Sequence, residues 1–107
     1  MLKHAEFLNE ASSIAQCCYD MRVQVLGQEH KDTLVTMHSL ALALENAGKL
    51  PEALRVFRDC LALEQRVLGE EHEYTLITMH NLASALDNAG EHAEAVRVER
   101  ECLAVRQ

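Results

Sequence analysis

Residues 67–90 read VLGEEHEYTLITMHNLASALDNAG, and residues 25–48 read nearly the same, VLGQEHKDTLVTMHSLALALENAG. Gly69 follows Gly27, and His72 follows His30, at the same offset of 42 residues. A fixed period of this length is typical of tandem arrays, in which each repeat is one supersecondary unit that stacks on its neighbours. The sequence therefore predicts a repeat scaffold.

The composition favours a helical domain and disfavours several classes of partner. Of the 107 residues, 49% are hydrophobic and 25% are charged, which indicates a packed core. Aromatic residues are scarce and there is one proline, as expected of an all-helical array. The net charge of -7 disfavours nucleic acid and anionic membranes, because both need clustered lysine and arginine. The N-terminal segment has no long apolar run, so we expect neither a signal peptide nor a membrane span.

Three of the four cysteines recur at the repeat period. Cys18, Cys60 and Cys102 occupy one slot in successive units, and Cys17 precedes the first of them. Cysteines of a metal site or a disulfide framework cluster to meet each other, whereas these lie a whole unit apart. We therefore expect these three to be buried as small apolar residues, with Cys17 exposed, in a reducing cytoplasmic location.

The apolar periodicity predicts an all-α fold of five antiparallel helices joined by short turns, with no strand. We expect one array over residues 1–107, made of a half repeat over 1–26 and repeats over 27–68 and 69–107. The helices are expected over 1–26, and over about 32–47, 51–67, 74–89 and 93–106. A glycine follows each of the first four, because glycine suits the left-handed position after a helix. Asp32 or Thr33 is expected to cap the second helix, and Thr75 the fourth.

Apolar residues at three- and four-residue steps define the face that each helix is expected to bury. The predicted stripes of the first four helices are, in order, Leu8, Ala11, Ile14, Ala15, Cys18, Met21 and Val25; Leu34, Met37, Leu40, Ala41 and Leu44; Ala53, Leu54, Phe57, Cys60, Leu61 and Val67; Leu76, Met79, Leu82, Ala83 and Leu86. In the last helix Glu99 stands where Phe57 stands in the third. A carboxylate is a poor core residue, so we expect that helix to be loosely packed or partly exposed.

The helix pair resembles the tetratricopeptide repeat (TPR). The family's sequence of a large residue, Leu, a small residue and a large one is matched by Met37, Leu40, Ala41 and Leu44, and again by Met79, Leu82, Ala83 and Leu86. The longer period and the string LGxEHxxTLxTMxxLA are similar to the subclass found in kinesin light chains. That subclass has Pro-Asp after Glu-His, where this chain has Lys31-Asp32 and Glu73-Tyr74, so we expect a less rigid turn.

The resemblance implies a solenoid that binds a peptide or partner surface in a concave groove lined by the first helix of each unit. The groove residues are then expected to be Val35, His38, Ser39, Leu42, Glu45, Asn46, Ile77, His80, Asn81, Ser84, Asp87 and Asn88. The family points to Asn81 as a clamp on a peptide backbone, because a carboxamide both donates and accepts. With Glu45 and Asp87 in place of groove cations, we expect a neutral to basic ligand and no recognition of a C-terminal carboxylate.

Other classes of function have weaker support. The link histidines His30 and His72 are expected to hydrogen-bond their turns, since no spacing typical of a metal site occurs. We expect no cofactor, no metal and no catalytic residues, because the chain has neither a phosphate loop nor a nucleophile elbow. The alternative to groove binding is a spacer segment of a longer array that self-associates through its ends, where residues such as Phe7 and Leu103 lack a full neighbour.

Overall fold

A computed structural model describes residues 4–106, with side chains from Glu6 to Val105. It contains α1 (His4–Leu26), α2 (Lys31–Asn46), α3 (Leu50–Val67), α4 (Glu73–Asn88) and α5 (His92–Arg106), and the described residues form no strand. The five predicted helices are thus confirmed, apart from residues 1–3 and 107, which lie outside the described range. Within that range no helix is long and apolar enough to cross a membrane.

The chain divides into two compact units, with the boundary between Val56 and Phe57 inside α3. In the first unit α1 packs on α2, and in the second α4 packs on α5. The prediction that residues 1–107 form one array stays a prediction, as do its internal repeat boundaries.

The helices end as the glycines predict. Gly48 has a φ of 80° and Gly90 a φ of 84°, in the left-handed region that residues with a Cβ rarely adopt. After α2 the backbone amide of Lys49 donates to the Leu44 carbonyl at 2.9 Å. The backbone amide of Gly48 donates to the Glu45 carbonyl at 3.0 Å. This pair of bonds satisfies carbonyls that the end of a helix would otherwise leave unpaired.

The helix starts differ from the prediction, because histidines and not Asp32, Thr33 or Thr75 cap them. His30 Nδ1 accepts from the Asp32 amide at 3.0 Å, and His72 Nδ1 accepts from the Tyr74 amide at 3.0 Å. The expectation that the link histidines bond their own turns is therefore confirmed. An imidazole nitrogen two bonds from Cβ reaches the same free amide that an Asn or Asp cap would reach.

The two threonines point backwards to the preceding segment. The Thr75 hydroxyl donates to the Gly69 carbonyl at 2.9 Å, and the Thr33 hydroxyl donates to the Arg22 carbonyl at 3.5 Å. Both threonines are fully buried. They tie the start of each first helix to the chain before it, which leaves the cap position to the histidine.

The apolar stripe of α2 lies as predicted, whereas that of α1 does not. All five residues expected in α2 are buried. In α1 the half-buried residues are Leu8, Ala11, Ala15, Tyr19 and Val23, and Ser12 is buried. Ile14, Cys18, Met21 and Val25 were expected to be buried and are exposed.

The cysteine slot shows why the prediction for α1 was wrong. Cys102 in α5 lies 3.8 Å from the Leu76 carbonyl of α4, the helix that comes before it. Cys60 and Cys102 are buried as predicted, but Cys18 is exposed. In α5 this slot therefore faces the preceding helix, and among the described residues no helix precedes α1. Equal slots in a repeat are buried equally only when their neighbours are also equal.

Helices α3 and α4 bury polar residues that their apolar patterns did not predict. The buried positions of α4 include Met79, Leu82, Ala83 and Leu86 as predicted, together with Thr75, Thr78 and Ala85. In α3 Ala53, Phe57 and Cys60 are buried as predicted, and Val56 and Glu64 join them. Four residues that were predicted to be buried are not. Leu54, Leu61 and Leu76 are only half-buried and Val67 is exposed, because they lie at the edges of the predicted apolar stripes.

A buried carboxyl group interrupts the apolar core of the second unit. Glu64 is only 2% exposed, and its Oε1 atom has no hydrogen-bond partner among the described residues. Desolvation raises the pKa of Glu64, and hydrogen bonds from Thr78 and Cys60 oppose that rise. Burial also raises the pKa of the Cys60 thiol well above its ordinary value, with the charge of Glu64 adding to the effect. The folded state therefore favours a protonated carboxyl and an inert thiol.

We expect Glu64→Gln to stabilise the protein at neutral pH by on the order of 1 kcal/mol, because glutamine mimics the protonated acid. Since the folded pKa is raised, wild-type stability is fully present below the unfolded pKa near 4.5 and falls as pH rises towards the folded pKa. Urea unfolding of both proteins across pH 4 to 8 measures the difference. A variant that is less stable at every pH would contradict the assignment.

We expect His72→Ala to lower stability by about 1 kcal/mol, because the Tyr74 amide loses its acceptor. His72→Asn is the matched control, since asparagine is a favoured cap that can accept the same bond. Urea unfolding at neutral pH should show a loss for alanine and little change for asparagine. Equal losses in the two variants would show that the imidazole acts through packing, for example on the Tyr74 ring 5.0 Å away.

We expect the four thiols to separate into two classes in the native protein. Cys17 and Cys18 are exposed and should react quickly with a maleimide, whereas Cys60 and Cys102 are buried and should react only as the protein opens. Mass spectrometry of a labelling time course identifies each site. Fast labelling of Cys60 without loss of helicity would be inconsistent with its burial.

Candidate functional site

In the first unit, the residues predicted to line a groove share one face of α2. Val35, Ser39 and Asn46 are exposed, and His38, Leu42 and Glu45 are half-buried. The Ser39 hydroxyl donates to the Val35 carbonyl one turn earlier at 3.2 Å. Desolvation lowers the pKa of His38, so its ring is neutral at neutral pH.

In the second unit, the corresponding residues lie on the equivalent face of α4. Asn81 is half-buried, and the other five, Ile77, His80, Ser84, Asp87 and Asn88, are exposed. Ile77 is 44% exposed, which is a large apolar area for a residue in the middle of a helix face. From Ile77 to Asp87 this face is about 15 Å long, at 1.5 Å for each residue.

Two depressions lie along this α4 face, one on each side of Asn81. The first, about 500 Å³, is lined by Glu71 and Glu73 near the link and by Leu76, Ile77 and His80. The second, about 420 Å³, lies between α4 and α5. It is lined by Ala83, Ser84, Asp87, Ala95, Val96, Glu99, Arg100 and Leu103. Four of the six residues predicted from the α4 pattern thus border a depression.

Two histidine–carboxylate pairs lie on the same α4 face. His80 Nδ1 lies 3.0 Å from the Glu99 carboxylate, and His92 contacts the Asp87 carboxylate. Glu99, the residue that led us to expect a loosely packed or partly exposed last helix, is half-buried and pairs across the helix interface. Sequence reasoning missed the pairing itself. The one feature of the sequence that pointed to the pairing was a departure from the repeat, since Glu99 stands where α3 has Phe57.

A further pair ties α3 to α5 in the second unit. Arg58 Nη2 donates to both oxygens of Glu94, at 3.1 and 3.2 Å, and Arg97 lies 3.6 Å from the same carboxylate. Arg58 and Arg97 are exposed and Glu94 is half-buried, so the pairs orient side chains more than they stabilise the fold.

The chemistry available on the α4 face is that of binding. Apolar side chains are combined there with four carboxylates and one half-buried carboxamide, while Arg100 is the cation that lines the second depression. Among the described residues no group of three histidine, cysteine, aspartate or glutamate side chains is placed to hold a metal ion. The arrangement can accept hydrogen bonds and positive charge from a ligand.

Solved structures with the same fold contain repeats of the same kind. A crystal structure of nearly identical TPR-like repeats from Podosopora anserina, assigned as a kinesin light chain, superposes with a TM-score of 0.86 at 27% identity. The match covers 92% of this chain and 47% of that one. A point variant of the Podosopora anserina protein superposes with a TM-score of 0.76 at 23% identity. This match covers 99% of this chain and 57% of that one, and it shows the fold alone.

The chain thus spans about half the length of these two solved structures. A search of curated proteins gave no match. The sequence model of the tetratricopeptide repeat matches residues 1–63 and 40–107, which together include every residue of the chain. Such repeats are generally protein–protein interaction modules without catalytic activity. The chain belongs to the tetratricopeptide repeat family, and its repeats are similar to those of the Podosopora anserina structure assigned as a kinesin light chain.

Proposed function

We propose that the exposed α4 face binds a peptide or a partner surface of neutral to basic character. The observation that carries the proposal is the pair of depressions on the two sides of Asn81. Each combines apolar wall with carboxylates at its rim, which suits a ligand that presents apolar and basic side chains in alternation. The equivalent α2 face, with Leu42 and Glu45, offers similar chemistry in the first unit.

Asn81 supplies the polar anchor of the proposed site. It is half-buried, so a ligand that covers it completes its removal from water. A carboxamide can accept from one peptide amide and donate to one carbonyl, which fixes a backbone without reading its side chains. Specificity then comes from the depressions that flank it.

The histidines make the proposed binding sensitive to acid. Protonated His80 adds positive charge beside Asn81, although the Glu99 carboxylate 3.0 Å away offsets part of it. Because desolvation lowers the pKa of His38, protonation on the α2 face requires a lower pH than an exposed imidazole would. We therefore expect a basic ligand to bind more weakly in mild acid.

The direct test is titration of a peptide library against the wild type and Asn81→Ala. Removing the carboxamide should cost about 1–3 kcal/mol of binding free energy if it pairs with a desolvated backbone. Asn9→Ala, which changes an exposed asparagine of α1, is the matched control and should bind as the wild type does. Binders whose affinity ignores both Asn81 and pH would place the site elsewhere.

The second candidate function is a spacer segment that self-associates through its ends. It is favoured by apolar side chains exposed on the two terminal helices, with Phe7 58% and Ile14 60% exposed on α1, and Val96 50% and Leu103 54% on α5. If no peptide from the library binds, this candidate is preferred. In either case we place the protein in the cytoplasm, where the exposed Cys17 and Cys18 thiols stay reduced.

A further inference from the structure

The exposed side of α1 carries a continuous apolar stripe. Phe7, Ala11, Ile14, Cys18, Met21 and Val25 follow one another at alternating steps of four and three residues. Phe7, Ile14, Met21 and Val25 are 58%, 60%, 64% and 77% exposed, Cys18 is exposed and Ala11 is half-buried. The stripe contains no charged residue and is about 27 Å long at 1.5 Å per residue.

This stripe is distinct from the side of α1 that packs on α2. The half-buried residues Leu8, Ala15 and Tyr19 lie about 100° around the helix from it. In α5 the slots equivalent to Ala11, Ile14 and Cys18 hold Ala95, Val98 and Cys102, all buried in a helix that packs on α4. The same slots of α1 thus form a surface whose counterpart is covered by a helix.

The spacing of the stripe fits a second helix with the same spacing. Alternating steps of three and four residues keep apolar side chains on one seam over many turns, as in coiled coils. The α1 helix of a second copy offers that seam. The α5 surface is less suited to this, because Glu99 and Arg100 separate its two exposed apolar residues, Val96 and Leu103.

We infer that two copies of this chain pair through their α1 helices, in antiparallel orientation about a two-fold axis between Ile14 and Cys18. The inference deepens the self-association candidate by naming the faces that meet, and it does not depend on peptide binding. Because the contact joins like to like, it closes a dimer and does not extend into a filament.

Side-chain volumes decide the orientation. An antiparallel pair places Phe7 opposite Val25, Ala11 opposite Met21 and Ile14 opposite Cys18, so each layer joins a larger residue to a smaller one. A parallel pair would place Phe7 on Phe7 and Ala11 on Ala11, giving one overfilled layer and one gap.

The area is sufficient for a weak dimer. Four large side chains that are each more than half exposed present on the order of 400 Å² of apolar surface on each copy. With flanking atoms of α1, a pair buries roughly 1,000 Å², near the lower limit for specific interfaces. We therefore expect dissociation in the micromolar range.

Sedimentation of the 107-residue chain from about 1 to 200 µM tests the pairing, because that range brackets a micromolar dissociation constant. The wild type should pass from monomer to dimer and stop there. Ile14→Glu should weaken the dimer by roughly 100-fold or more, since it buries an unpaired charge. Ile14 is exposed in the monomer, so helicity should not change, which circular dichroism checks.

Leu103→Glu on α5 is the matched control, with 54% exposure at the other end of the chain, and it should dimerise as the wild type does. If both substitutions abolish association, the contact joins one end to the other and the α1 pairing is wrong. A wild type that stays monomeric throughout, or variants that both dimerise normally, would also overturn it.

Disulfide trapping tests the orientation. In a background with Cys17 and Cys18 changed to serine, the Ala11→Cys, Met21→Cys double variant should oxidise to a cross-linked dimer. The Met21→Cys single variant should not, because residue 21 faces residue 11 of the second copy. Efficient cross-linking of the single variant would indicate parallel helices and overturn the antiparallel arrangement.

Discussion

In each unit of this chain a helix buries an apolar face against the helix that lies beside it, as α1 does on α2 and α5 does on α4. This constraint governs the rest of the structure. Near-identical repeats supply the same residues to each slot, but the burial of a slot depends on which helix lies beside it. Cys18, Cys60 and Cys102 illustrate the point, since the same residue type is exposed in α1 and buried in α3 and α5. The stability of each unit is therefore a property of helix pairs.

The elements that act locally could be predicted from the sequence. Glycine is required where φ is positive, so Gly48 and Gly90 fix the helix ends. All five residues of the α2 stripe are buried, because that helix has a partner on its apolar side. The predicted N-caps were wrong, because a threonine hydroxyl can form a hydrogen bond either with its own helix or with the segment before it. The choice is decided by the burial of Thr33 and Thr75 against the preceding segment.

Features that arise between helices could not be predicted from periodicity. Glu64 has Arg22 and Arg106 at the equivalent positions, so no repeated signal marks it as buried. The candidate site shows the same division. The α2 and α4 faces follow from helical spacing, whereas the contact of His80 with Glu99 depends on how α4 and α5 meet. The departures from the repeat, which a consensus would discard, are the residues that distinguish one unit from the other.

Such departures also bear on how a chain with two near-copies of one segment selects its correct helix pairs while folding. Phe57 is fully buried in α3, and the equivalent residue of α5 is Glu99. If α5 took the place of α3 during folding, that carboxylate would enter an apolar slot without a partner, at a cost of several kcal/mol. The exchange is therefore disfavoured, although the two helices are otherwise alike in their small buried residues. A single half-buried acidic side chain thus distinguishes the two helices and disfavours their exchange during folding.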